Sequence, residues 1–163
     1  MNNDETLGYV WSMGNVRDSV LEAGTDSGKA VFRMQKLDCI RNVSLREDGG
    51  VKVELSVKAT LNIVELSRFD KMAADEWMPR LIQMAQDEIR QKITVSFEAA
   101  RRLDADIYGF GTSVHRKYPK QWRAMKDRWD KIFPDIELNV QAKVRIPGIG
   151  QIGRSLEMGE KES

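Results

Sequence analysis

The segment most suggestive of chemistry is Gly148-Ile-Gly150-Gln-Ile-Gly153, which fits G-x-G-x-x-G and follows a strand-like run. In that arrangement backbone N–H groups cradle a pyrophosphate. The chemistry also needs a helix N-terminus behind the glycines and an acidic residue further on. No amphipathic helix follows here, so the motif reads as a flexible exit from the last strand. Nucleophilic and metal chemistry are equally short of parts. His115 is the only histidine and Cys39 the only cysteine, whereas triads and histidine metal sites need partners. Cys39 alternates with Leu37, Val43 and Leu45 on an apolar strand face, which predicts a buried, inert thiol and no intrachain disulfide. Carboxylates are plentiful, among them Glu88, Glu98, Asp104, Asp106, Asp127 and Asp130. Most alternate with Lys or Arg at helical spacing, as Asp127 does with Lys131. Nothing singles out two of them as an acid–base pair.

Asp106 stands apart, next to Ile107 at a helix end before Gly109-Phe110-Gly111. It is expected to accept backbone N–H bonds from the Gly-Phe-Gly turn. Trp122 and Trp129 follow, seven residues apart, so both rings point the same way if one short helix runs from Trp122 to Phe133. Pro119 suits the start of that helix and Pro134 its end behind Phe133. Phe110, Trp122, Trp129 and Phe133 could line a ligand pocket, but such rings more often fix a short helix to a sheet edge. His115, Arg116, Lys117 and Tyr118 are read as a solvated turn, with docking to a partner as its functional alternative.

Composition narrows the class. A chain of 163 residues with 41% apolar and 31% charged residues can bury a core without metal or disulfide support. No apolar run approaches the ~18–20 residues of a spanning helix. The net charge of +1 offers no excess to attract nucleic acid. Neither a cofactor nor a metal is expected. Met1-Asn2-Asn3-Asp4-Glu5-Thr6 is not a signal peptide, having no basic or apolar region.

The elements that position these residues come from periodicity. Around Tyr9-Val10-Trp11 we expect a short strand and a turn. From Val31 to Leu45 the apolar face changes parity between Phe32/Met34 and Leu37/Cys39, which predicts two short strands or one with a bulge. Asp48-Gly49-Gly50 is a turn signal. Val51, Val53, Leu55, Val57, Ala59, Leu61 and Ile63 then alternate without a break. From Asp75 to Ala105 the period becomes helical, with Trp77, Leu81, Ile82, Ala85, Ile89, Ile93, Phe97, Ala100 and Leu103 on the stripe. Asp75 is placed to cap this helix and Pro79 to lie in its first turn. An intermolecular coiled coil is the alternative use of the stripe. Ile136 to Ile146 alternates again as a last strand. The fold class expected is α+β: a long antiparallel β-sheet packed against one very long α-helix, plus a short Trp-bearing helix.

The stretch from Asp106-Ile-Tyr-Gly-Phe-Gly through Arg116-Lys-Tyr-Pro, Trp122, Trp129 and Phe133-Pro to the alternating strand resembles the C-terminal domain of the Ger(x)C family. These are the C subunits of nutrient germinant receptors in spore-forming bacteria. The resemblance covers about Thr6 to Gly150 and is densest from Asp106 to Val144. It implies residues 29–150 as the family domain, residues 1–28 continuing from a preceding domain that is absent, and 151–163 as a disordered tail. It further implies a non-enzymatic lipoprotein component acting in spore germination by scaffolding or signal coupling. The partners implied are the integral-membrane A and B subunits, at the outer face of the spore inner membrane. The lipid anchor belongs to the longer protein. The turn at His115–Tyr118 would then meet a membrane-subunit loop or an anionic headgroup. An extracytoplasmic germinant-binding module is the alternative; an unrecognised hydrolase is the third reading, short of a nucleophile–base pair.

Overall fold

The structure, a computed structural model, describes residues 1–25, 28–67 and 74–147. The Gly148–Gly153 motif and the tail lie outside these residues. In chain order the elements are α1 (Asn3–Met13), β1 (Ser19–Thr25), β2 (Gly28–Leu45), β3 (Val51–Ser67), α2 (Ala74–Arg102), α3 (Phe110–Lys117), α4 (Pro119–Met125), α5 (Trp129–Ile132) and β4 (Glu137–Arg145). The sheet has four strands in the order β1-β2-β3-β4. β1 pairs antiparallel with the first part of β2, Ser19 opposite Met34 and Thr25 opposite Gly28. β2 turns into β3 through Arg46–Gly50, closed by the Arg46 N–H donating to the Gly50 carbonyl at 2.8 Å. Long antiparallel strands beside one long helix are therefore what the periodicity predicted.

β2 is one strand of 18 residues whose buried side chains switch from Ala30, Phe32 and Met34 to Leu37 and Val43. Gln35 and Lys36, both exposed, mark the slip by one residue, which is what a bulge does to alternation. α2 has 29 residues, about 43 Å at 1.5 Å per residue. It buries Trp77, Leu81, Ala85, Ile89, Ile93, Phe97 and Ala100, so the stripe serves the chain's own core.

Five expectations need correction. Residues 3–13 form a helix rather than a strand. Asn2 caps it by accepting from the Glu5 N–H at 2.9 Å, and the Glu5 carboxylate accepts from the Asn2 N–H at 2.7 Å, a capping box that outweighs the strand propensity of Tyr9-Val10-Trp11. Because α2 starts at Ala74, Asp75 lies in its first turn rather than capping it and Pro79 lies past that turn; Pro79 is exposed, where water can satisfy the carbonyl it leaves free. Leu103 is 59% exposed, since the helix ends at Arg102 and Asp104 takes a left-handed φ of 49°. The Trp122–Phe133 helix is interrupted: 3₁₀ turns at Lys126–Arg128 and Phe133–Asp135 flank the single turn of α5.

The chain divides into two compact units. Of the described residues, one comprises 1–14, 39–57 and 90–141, the other those within 15–38, 58–89 and 142–147. The first packs Trp11, Val43, Val53, Leu55, Ile93, Phe97, Phe110 and Phe133 into its core, and the second Leu21, Phe32, Met34, Leu37, Leu61, Leu81, Ala85 and Ile89. In the first unit α1 is fixed to α2 by Glu5–Arg102 at 2.8 Å and Asp4–Lys92 at 2.9 Å.

Candidate functional site

Where α2 stops, the chain makes short hydrogen-bonded turns and reaches Gly109, whose left-handed φ of 70° makes it the N-cap of α3. Gly109 has no side chain with which to cap, and Asp106 supplies the missing acceptor. Its carboxylate accepts from the N–H groups of Phe110 at 2.9 Å and Gly111 at 2.7 Å, the first free donors of the helix. The same carboxylate accepts from Trp129 Nε1 at 3.0 Å. Asp106 thus ties the α2–α3 loop to α5, and Gly111 fits beneath the rings. A Cβ built on Gly111 would lie 3.0 Å from Cε2 and Nε1 of Trp129 and 3.1 Å from Cη2 of Trp122. Although their helix is interrupted, Trp122 and Trp129 meet edge to face with centroids 5.2 Å apart. His115, one turn beyond Gly111, stacks on Trp122 at 5.7 Å.

Behind this layer lies a second aromatic group. Phe110 stacks on Tyr108 at 5.1 Å, and Phe97 meets Tyr108, Phe110 and Phe133 edge to face. The Tyr108 hydroxyl shares a 2.7 Å bond with Ser96, and burial pushes its pKa up. Two arginines close the layer. Arg41 donates to the Tyr108 carbonyl and lies 5.2 Å from the Phe110 ring centre. Arg101 donates to the Ile136 carbonyl and sits 4.5 Å over Phe97. Sequence reasoning missed both. The signal for Arg41 was its position, a cation at the inward parity of β2 between Leu37 and Val43; for Arg101 it was the four-residue spacing from Phe97.

The proposed docking residues lie in the last turn of α3 and the residue after it. His115 and Arg116 are exposed. Lys117 is held back, its Nζ donating to Asn42 Oδ1 at 2.8 Å and the Val43 carbonyl at 2.7 Å. Tyr118 is half-buried between α3 and α4, and Pro119 is the first residue of α4. Cys39 is half-buried rather than fully buried as its alternation predicted; desolvation still pushes its thiol up to about 11, so it is a poor nucleophile. Surface grooves exist within each unit. One of about 330 Å³ on the second unit is lined by Lys36, Asp38, Lys58, Thr60, Lys143 and Arg145 among others. One in the first unit lies between the β2–β3 turn and Arg128, Lys131 and Asp135. Among the described residues no group of three His, Cys, Asp or Glu side chains is placed to hold a metal ion. No helix among them is long and apolar enough to cross a membrane.

Fold and site together define an α+β domain whose polar and aromatic side chains fasten its own loops. The chain belongs to the family described as Spore germination B3/GerAC like, C-terminal, whose model matches residues 1–150, as the motif from Asp106 to Val144 implied. It is 26% identical over 155 residues to Spore germination protein KC of Bacillus subtilis (strain 168), covering 92% of this chain and 37% of that protein. Spore germination protein YndF of the same organism is 21% identical over 165 residues, covering 93% of this chain and 38% of that protein. The crystal structure of the GerBC protein superposes with a TM-score of 0.79 at 16% identity, over 91% of this chain and 46% of that one. The chain therefore spans less than half the length of these relatives.

Proposed function

We propose that this chain is the C-terminal domain of a C subunit of a spore nutrient germinant receptor. It acts without chemistry, as a scaffold or signal coupler beside two integral-membrane subunits. The protein that carries it is lipid-anchored at the outer face of the spore inner membrane. The observation that carries this reading is the family match over residues 1–150. The site supports it further: Asp106, Trp122 and Trp129 are engaged with one another and with Gly111, which favours a rigid framework over an aromatic ligand pocket. Docking falls to His115 and Arg116, exposed at the end of α3; Lys117 contributes by fixing that end to β2. The test is purification of the whole protein from detergent-solubilised spore membranes after mild crosslinking. Two integral-membrane subunits should accompany it, and fewer should do so with Arg116→Glu. Recovery of the protein alone, at every crosslinker dose, would count against the proposal.

A further inference from the structure

We infer that the helical segment from Lys120 to Lys131 is a docking face for an anionic lipid surface. Between Arg116 and Lys131 the sequence carries Arg116, Lys117, Lys120, Arg123, Lys126, Arg128 and Lys131 against Asp127 and Asp130. Seven cations facing two carboxylates give this stretch a charge of +5, in a chain whose total is +1. All seven are exposed. Lys117 is tied to β2, but the other six have no ion-pair partner among the described residues. The 3₁₀ turn at Lys126–Arg128 breaks the regular helical spacing that would have paired Asp127 with Lys131.

The arrangement fits a diffuse negative surface better than a protein carboxylate. Lys120 and Arg123 are three apart on α4, on the side away from buried Met125. Lys126 flanks them at the start of the 3₁₀ turn, while Trp122 and Trp129 turn the other way, onto Gly111 and each other. Arg41 and Arg101 in the same unit are fixed by carbonyls and rings. Among the described residues nothing comparable orients Lys120, Arg123 and Lys126. Cations on long free stems suit headgroups attracted by summed charge, each Lys or Arg near such a surface strengthening binding about fivefold.

Vesicle sedimentation at low ionic strength tests this. The chain should bind vesicles of mixed phosphatidylglycerol and phosphatidylcholine, fail to bind pure phosphatidylcholine, and detach as salt shortens the Debye length. K120Q/R123Q/K126Q should weaken partition about a hundredfold. K36Q/K58Q/K143Q removes the same number of charges from the open sheet face and should cost no more than a few-fold. If the first triple variant melts early, Lys120→Gln and Arg123→Gln singly should each lose about fivefold. Absence of vesicle binding, equal binding to neutral vesicles, or equal loss in both triple variants would overturn the inference. Binding to polyglutamate but not to vesicles would overturn it in favour of an acidic protein face. The inference does not rest on the receptor reading, because vesicle binding is measured on this chain alone and germination in spores.

Discussion

Gly111→Ala is the smallest change that probes how the site is built. In an ordinary helix it stabilises by ~1 kcal/mol, because alanine loses less backbone entropy. Here the new Cβ would sit 3.0 Å from Trp129 and 3.1 Å from Trp122, so a ring must yield by a few tenths of an ångström. Trp129 cannot do so freely, since its Nε1 is bonded to Asp106 at 3.0 Å and its ring abuts Trp122. Overpacking of this kind costs about 1–3 kcal/mol. Set against the helical gain, and with the ring pinned, a net loss of about 1–2 kcal/mol follows. For a chain of this length that is roughly 2–8 °C in Tm, read by near-UV circular dichroism and tryptophan fluorescence. Gly111→Val adds two methyl groups beyond the alanine Cβ against the same rings and should cost about 3 kcal/mol or more. A double-mutant cycle sharpens the test: in an Asp106→Ala background Trp129 is released, and Gly111→Ala should cost less by about 0.5–1 kcal/mol. If Gly111→Ala equals or exceeds the parent in stability, or if its cost is unchanged without Asp106, the carboxylate does not pin the ring.

Three further outcomes follow from the same geometry. Asp106→Ala should destabilise by about 2–4 kcal/mol in urea melts, and Asp106→Asn by less, because its one oxygen can still accept from Gly111 and Trp129 while its NH2 group meets only the Phe110 N–H. Glu5 is held below the usual carboxylate range, first by the Asn2 backbone N–H and then by Arg102. A depressed folded pKa gives stability that is present above its ordinary value of 4.5 and lost as pH falls through the folded pKa. The Tm advantage of the parent over Glu5→Gln should accordingly be larger at neutral pH than in acid, and a constant gap would contradict this. Cys39, with its thiol near 11, should react with a thiol reagent at pH 8 far more slowly in the native chain than in urea; equal rates would mean that the strand face opens freely.

Long-period signals survived from sequence to structure because each is repeated many times. The odd positions from Val51 to Leu61 are all buried, and so is the stripe from Trp77 to Ala100 except half-buried Ile82; a single exception cannot mask such a pattern. The parity change in β2 was legible for the same reason, though only the structure decides between two strands and one slipped strand. What escaped notice was local. The local signal for α1 is one pair, Asn2 and Glu5, set against three residues of strand propensity, and its ties to α2 are long-range. The break of the Trp-bearing helix after Met125 has no proline or glycine to announce it. Lys117 looked like a solvated surface cation because its partners, Asn42 and Val43, are over 70 residues away in sequence. For Arg41 and Arg101 the parity and spacing could have marked an inward cation, but not its acceptors, which are backbone carbonyls with no sequence signature.

The most direct test of the receptor assignment is nutrient-triggered germination of spores in which the gene encoding this chain is deleted and then restored. Deletion should abolish the response to at least one nutrient, and the parent gene should restore it. Arg116→Glu, whose exposed side chain leaves the fold's Tm within a few degrees, should give impaired recovery at equal protein abundance. Deletion spores that germinate at the parental rate on every nutrient tried would contradict the assignment.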